Sequence, residues 1–271
     1  MARILLTGAA GRLGTYLHQW LVERRHDVVA TDIRQPDAGP SLSIADLANR
    51  EALDRLMADR PDAIVHMGGL SGEAPWKDIL DANIAGTYNV FEAARNAGVR
   101  RIVYASSYHV LGMYPTAQSP LGAEAPPRPD SLYGVSKVFG EALARLYHDK
   151  FGIECLAIRI CTANPPKTTR ETRLWCSRED LARLVETGVL HERLGYRVVF
   201  GISANAGAPY VNPDDPDLGW APRHDSAELG HPLAGLPLDP NDPLNERHGG
   251  IFATWGHFDD DPAAKTPSRG L

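Results

Sequence analysis

The sequence predicts an α/β fold built on a doubly wound parallel sheet, and three observations carry that expectation. Short apolar stretches alternate with segments of helical period from residue 2 to about residue 160, the order that puts helices on both faces of a parallel sheet. The first apolar stretch runs directly into Gly8-Ala9-Ala10-Gly11-Arg12-Leu13-Gly14 and then into a helical pattern. The second ends on an acidic residue, Asp32, 18 residues beyond Gly14.

Residues 2–7 form the first strand, and Tyr16, Leu17, Trp20 and Leu21 mark one face of the helix that follows the glycines. Glycines let a backbone approach a pyrophosphate, and a helix N-terminus offers free N–H groups and a positive dipole end. Gly8, Ala10, Gly11, Arg12, Leu13 and Gly14 are therefore a candidate phosphate loop. Their G-x-x-G-x-x-G spacing departs from G-x-G-x-x-G, and a tight turn alone would also explain it. The second strand, Asp27 to Thr31, delivers Asp32, Ile33 and Arg34. A carboxylate there accepts hydrogen bonds from both adenosine ribose hydroxyls and repels a 2'-phosphate, so it favours NAD over NADP; Arg34 tempers that choice only slightly. Asp46-Leu47 follows, then a helix with Leu53, Leu56 and Met57 on one face, then the strand Ala63 to Met67 ending in Gly68-Gly69. Such a strand end is the usual edge of a cofactor cleft. His66 reads as a packed strand residue rather than a ligand.

One long helix is expected from Trp76 to Ala97, with Gly98 as its stop and Asn83 as the one amide on its apolar stripe. Asn83 is either a satisfied buried amide or a polar support for a site. The strand Arg101 to Ala105 then delivers Ser106-Ser107-Tyr108-His109, whose two hydroxyls are placed for ligand binding rather than core packing. A proline-rich loop from Pro115 to Pro129 leads into a helix that starts near Tyr133-Gly134-Val135-Ser136-Lys137 and ends at Gly152. Ile153 to Ile160 is the next strand, followed by Cys161-Thr162-Ala163. A capping signature at Ser177 and Asp180 starts a short helix closed by Gly188, and Tyr196 to Ile202 is a late strand. From Gly207 prolines dominate, so loops and short helices forming a lid are expected. The organisation is a dinucleotide-binding domain over 1–165 and a small substrate-binding or lid region over 166–271, whose late strand returns to the main sheet.

Tyr133 and Lys137 are four residues apart and share a helix face. A phenol titrates near ~10, and bringing it to neutrality takes roughly 4 kcal/mol of differential stabilisation. Lys137, helped by a second cation such as an oxidised nicotinamide, could supply it and make Tyr133 a general base. Such a pair also arises by chance on ordinary amphipathic helices, so its context decides.

Net charge is -6 and charged residues make up 23% of the chain, which leaves no basic surplus for a nucleic-acid partner. Cys155, Cys161 and Cys176 are an odd number without C-x-x-C spacing, so neither a disulfide framework nor a metal site is suggested, and a reducing compartment fits best. No apolar run approaches a membrane span, and the N-terminus lacks a secretory signal. A cytoplasmic protein with a small-molecule substrate, no nucleic acid and no membrane is the expectation.

In this order, Gly8-x-x-Gly11-x-x-Gly14, Asp32, Asp46-Leu47, Ser106-Ser107 and Tyr133-x-x-x-Lys137 resemble the extended short-chain dehydrogenase/reductase family. Within it the chain is most similar to uronate dehydrogenases, through Gly68-Gly69-Leu70-Ser71, Ser106 to His109, Arg128-Pro129-Asp130 before Leu132 to Lys137, Leu218-Gly219-Trp220, and Asp239 to Asp242 leading to Gly249-Gly250. The resemblance implies a Rossmann fold, NAD as cofactor, and oxidation of galacturonate and glucuronate at C1 to aldarolactones. Catalysis would fall to Tyr133 as base, Lys137 on the nicotinamide ribose and Ser107 on the reacting hydroxyl. The cofactor would meet Gly8, Ala10, Gly11, Arg12, Leu13, Gly14, Asp32, Ile33, Arg34, Asp46, Leu47, Met67, Gly68, Gly69, Asn83 and Ile160. Ser71, Ser107, Tyr108, His109, Tyr133, Thr162 and Arg170 would meet the sugar, and helix pairing between copies would give a homo-oligomer.

A C6 carboxylate calls for arginine's planar fork. Arg170 and Arg173 both qualify, and the resemblance, which places the arginine five residues before Trp175, selects Arg170. Two departures stand out: Tyr108 replaces a usual asparagine, and Cys161-Thr162-Ala163 a usual Gly-Ser-Cys. The competing readings are a nucleotide-sugar epimerase or dehydratase, which normally carries a larger C-terminal region, and a non-catalytic dinucleotide sensor, which needs no Tyr-Lys pair.

Overall fold

The computed structural model describes residues 1–36, 41–212, 215–230 and 232–260. Seven strands form one parallel sheet: β1 (Arg3–Thr7), β2 (Asp27–Asp32), β3 (Ser43–Ile44), β4 (Ala63–His66), β5 (Arg101–Ser107), β7 (Glu154–Ile160) and β8 (Tyr196–Gly201), in the spatial order β3-β2-β1-β4-β5-β7-β8. The order reverses between β1 and β4, so a crevice opens at their carboxyl ends. Two short strands outside the sheet, β6 (Leu121–Gly122) and β9 (Tyr210–Val211), pair with each other.

The inner strands β1, β4, β5 and β7 are apolar on both faces because they pack both ways, and successive side chains go to opposite sides. Ile4, Leu6, Val65, Val103, Leu156 and Ile158 face α1 (Arg12–Glu23) and α7 (Arg178–Leu190), where they meet Leu17, Leu21, Leu181, Leu184 and Val185. Leu5, Ile64, Ile102, Tyr104, Cys155 and Ala157 face α2 (Arg50–Leu56), α4 (Gly86–Ala97) and α5 (Leu132–Phe151), where they meet Leu53, Val90, Phe91, Leu143 and Tyr147. Burying side chains of this size contributes about 1.5–3 kcal/mol each. His66 is fully buried and bridges Thr7 Oγ1 (2.8 Å) and Thr87 Oγ1 (3.2 Å), so it is a strand-packing residue.

The late strand β8 joins the sheet beside β7, as expected. Two expectations need correction. The helix over 76–97 is not uniform: α3 (Trp76–Ile79) passes through a wide π-helical turn at Leu80–Ala85 before α4. Asn83 sits on that turn, whose widened geometry turns its amide inward. Gly188 does not close its helix, which runs on to Leu190; a Cβ there would stand 2.8 Å from Leu156 and 2.9 Å from Val103, so the glycine serves close helix–sheet packing. The C-terminal region does consist of loops and short helices, α6 (Thr169–Leu174) and α8 (Ile251–Thr254) among them. Its described residues from Gly207 onward do not line the main cleft, and Phe252 packs 4.2 Å from the ring of His109 on the cleft wall. Within the 166–271 region, 213, 214, 231 and 261–271 lie outside the described residues. No helix among the described residues is long and apolar enough to cross a membrane.

Candidate active site

A cleft of about 610 Å³ runs across the carboxyl ends of the strands. At one end the turn after β1 brings Gly8, Gly11, Arg12, Leu13 and Gly14 to its wall. A Cβ on Gly14 would stand 2.0 Å from the Gly8 carbonyl oxygen, so the helix can start this close to the turn only with glycine. Asp32, at the tip of β2, accepts the Ala10 N–H at 2.9 Å and the Ile33 N–H at 2.8 Å. Two backbone donors thus fix a carboxylate that still has lone pairs for ligand hydroxyls. Ile33, Arg34, Asp46, Leu47, Met67, Gly68 and Gly69 continue the wall. These groups fit a dinucleotide: a glycine-lined helix N-terminus for phosphates and a fixed acid for a ribose.

At the other end Ser71, Ser107, Tyr108, His109, Tyr133, Lys137, Ile160 and Thr162 share the cleft. Ser107 ends β5, where its hydroxyl accepts the His109 N–H at 3.2 Å and it lines the cleft together with Tyr133. Tyr133 lies in the first turn of α5, which is firmly capped: Ser131 Oγ accepts the Gly134 N–H at 3.0 Å, and Glu73 accepts the N–H groups of Leu132 (3.1 Å) and Tyr133 (2.8 Å). A carboxylate at a helix N-terminus is also favoured by the helix dipole.

The electrostatics differ from the expectation. Burial pushes the Tyr133 phenol up to about 12, with the Ser107 hydrogen bond pulling the other way. Lys137 does not lower it: its Nζ donates to the Ala105 carbonyl at 2.9 Å and lies 5.5 Å from the Tyr133 ring centre. Burial pushes the Lys137 ammonium itself down to about 8. The protein's own groups therefore leave the phenol protonated at neutral pH.

Three residues expected to touch a ligand lie outside the cleft wall. The Ala10 N–H is spent on Asp32. Asn83 uses its amide internally, accepting the Leu70 N–H at 2.7 Å and donating to the Leu70 carbonyl (3.1 Å) and Ser136 Oγ (3.0 Å), while its neighbour Ala82 lines the cleft. It ties the loop after β4 to the first turn of α5. Arg170 stands behind Tyr108, with its guanidinium carbon 6.0 Å from the Tyr108 ring centre, and donates to the His248 carbonyl. Ser106, expected to face a ligand, donates to Glu141 at 2.6 Å, and Glu141 in turn holds Arg159 through two 2.9 Å bonds.

Asp130 and Glu73 had no assigned part in the site. His109 Nδ1 and Asp130 Oδ2 are 2.7 Å apart, the Asp130 side chain is wholly buried, and the His109 ring lies 4.2 Å from those of both Tyr108 and Phe252. The Asp-Ser step before the helix was the available sequence signal for Asp130; Glu73 has none.

Residues 4–178 match the profile of the NAD dependent epimerase/dehydratase family. The chain is 39% identical to the uronate dehydrogenase of Pseudomonas syringae pv. tomato over 264 residues, 95% of each chain. Among solved structures, it is 43% identical to a glucuronic acid dehydrogenase from Chromohalobacter salexigens, with a TM-score of 0.88 over 96% of this chain and all of that one. It is 41% identical to a uronate dehydrogenase from Agrobacterium tumefaciens, a tyrosine-to-alanine variant complexed with NAD, with a TM-score of 0.86 over 94% and 97% of the two chains.

Proposed function

The chain belongs to the NAD dependent epimerase/dehydratase family, and on that premise we propose that it is an NAD-dependent dehydrogenase that oxidises hexuronic acids such as galacturonate and glucuronate at C1 to the aldarolactone. The observation that carries the reading is that Ser107, Tyr133 and Lys137 line one cleft with the glycine turn and Asp32.

Gly11 to Gly14 would hold the pyrophosphate and Asp32 the adenosine ribose of NAD. Bound there, NAD supplies the hydride acceptor and a positive charge. Tyr133, once that positive charge has drawn its phenol to the phenolate, would take the proton of the C1 hydroxyl, and Ser107 would hold that hydroxyl against it. Removing a proton and a hydride from a cyclic hemiacetal carbon leaves a lactone, so the ring need not open. Thr162 orients the sugar from the loop after β7, which is clamped by the Thr162 N–H on Leu174 (3.0 Å) and the Cys176 N–H on Thr162 (2.8 Å). Arg170 supplies the cation that distinguishes an acid from a neutral sugar.

The test is NADH formation with a panel of uronic acids, neutral aldoses and nucleotide sugars. Turnover is expected on the uronic acids first. Preference for a nucleotide sugar would favour the epimerase or dehydratase reading, and reduction of NAD by none of them would favour a sensor.

A further inference from the structure

Asp130, in the loop that enters α5, has its side chain wholly buried, and glycines from three separate segments make the space for it. A Cβ on Gly112 would stand 1.7 Å and one on Gly249 2.0 Å from its Oδ2, and one on Gly134 3.3 Å from its Oδ1. A carboxylate is costly to bury unless its oxygens are bonded. Oδ1 accepts from Ser131 Oγ at 2.7 Å, and Oδ2 faces His109 Nδ1 at 2.7 Å. His109 lines the cleft beside Tyr133, with 5.8 Å between ring centres, and is steadied by the rings of Tyr108 and Phe252 at 4.2 Å each. An ionised carboxylate only accepts, so the proton on Nδ1 belongs to the bond with Asp130, and the neutral ring keeps a lone pair on Nε2. Among the described residues no protein group bonds that nitrogen.

We propose that Asp130 is a positioning residue for the sugar: by keeping the imidazole proton on Nδ1 it presents Nε2 of His109 to the cleft as a hydrogen-bond acceptor for one ring hydroxyl. This rests on the uronate reading. A histidine without a fixed partner exchanges its proton between the two nitrogens, and each exchange turns the acceptor into a donor. The buried carboxylate removes that freedom. An amide in its place would reverse the outcome: Ser131 Oγ accepts the Gly134 N–H at 3.0 Å and gives its own proton to Oδ1, so in Asp130→Asn the amide oxygen stays toward Ser131 and the NH2 turns to His109 Nδ1. The proton then moves to Nε2 while the shape of the site is kept.

The experiment has two arms. Nitrogen NMR of the full chain with labelled histidine, run above the range in which an imidazole takes a second proton, reads the tautomer directly; the His109 signals are assigned by their loss in His109→Phe. The parent should carry the proton on Nδ1, and Asp130→Asn on Nε2. The second arm measures KM for galacturonate and for its 2-, 3- and 4-deoxyfluoro analogues, because fluorine has nearly the size of a hydroxyl and cannot donate. One of the three replacements should raise KM about tenfold in the parent, the size of one lost hydrogen bond. In Asp130→Asn the same replacement should cost less than about twofold, since an Nε2 donor needs no proton from the sugar. A proton on Nε2 of the parent overturns the inference and makes His109 a donor, and that reading of the parent stands even if the variant fails to fold. A fluorine penalty equal in parent and variant, or absent from the parent at all three positions, overturns it as well. A parent that oxidises no uronic acid removes the functional reading and this inference together, whereas the other outcomes remove this inference alone.

Discussion

Lys137 Nζ donates to the Ala105 carbonyl at 2.9 Å, not to the Tyr133 hydroxyl, although both side chains rise from the first turns of one helix into one cleft. Tyr133, with its hydroxyl as its one ionisable group, lines that cleft together with Ser107. Tyr133→Phe removes only that ionisable oxygen, so it should abolish oxidation while leaving the NAD dissociation constant nearly unchanged. Turnover within about tenfold of the parent would falsify the base assignment.

The buried ammonium makes Lys137 a cost to folding. Its folded pKa of about 8 lies below the unfolded value of 10.5. Between the two only the unfolded chain holds the proton, so stability rises with pH across that window and the full cost is borne below it. Lys137→Met should therefore raise the urea midpoint at pH 7, by about 1–3 kcal/mol once the lost bond to Ala105 is counted. The gain should shrink as pH climbs from 8 toward 10.5. A lower midpoint for the variant at pH 7 would show the ammonium to be well compensated. The same variant should bind NAD less tightly if Lys137 holds the ribose.

Asp32 should set the choice of dinucleotide. Its two oxygens are held by the Ala10 and Ile33 N–H groups, so it cannot swing away from a 2'-phosphate, and the clash should cost several kcal/mol. The parent should prefer NAD strongly, and Asp32→Ser should narrow the gap in kcat/KM between NAD and NADP. Equal efficiency of the parent with both would mean that Arg34 overrides the acid.

The parallel sheet was legible because its signals are local: β1, β4, β5 and β7 are apolar runs bounded by glycine or polar turns, and Gly98 and Gly152 stop their helices in left-handed conformations. That Gly8 to Gly14 and Asp32 share one cleft was legible for the same reason, since they lie near one another in sequence. The Tyr133 end of the cleft was harder. The His109–Asp130 pair closes across a 21-residue separation, and Glu73 reaches Tyr133 from 60 residues away. Gly112 and Gly249 both give up the space of a Cβ to Asp130, a fact no local pattern encodes. Gly188 misled because a glycine needed for packing looks like one that ends a helix.

His66 gives an acid-side prediction. Burial holds its pKa near 3 in the folded chain against 6.5 unfolded. As pH falls below 6.5 the unfolded state takes a proton that the folded state refuses, so stability falls by up to about 1.4 kcal/mol per pH unit until the folded value is reached. His248, pushed down to about 4 by burial, adds in the same direction. His66→Gln should be less stable at pH 7 but lose less between pH 6.5 and 5, as read from urea midpoints. Parallel slopes for parent and variant would mean that His66 is charged in the folded protein.

Arg170 is the proposed reader of the acid. The guanidinium is half-buried, 6.0 Å from the Tyr108 ring centre, donates to the His248 carbonyl and is pressed against Gly250. Arg173, the other candidate in the segment, donates to the Leu236 carbonyl at 2.9 Å and packs against Gly207, away from the cleft wall. Arg170 stands nearer the cleft, beside Tyr108, which lines it. Cutting one partner of a charged, hydrogen-bonded contact in a closed site commonly costs about 2–5 kcal/mol. Arg170→Ala should raise the KM for galacturonate by at least about tenfold. Arg170→Lys should recover little, since an ammonium keeps the charge but cannot reproduce a planar fork that holds the His248 carbonyl and a carboxylate together. The loss should fall on the acid far more than on galactose. An equal loss on both sugars would assign Arg170 to holding the C-terminal turn in place, and the carboxylate would then have to be read by a group already on the cleft wall, with His109 the first to replace.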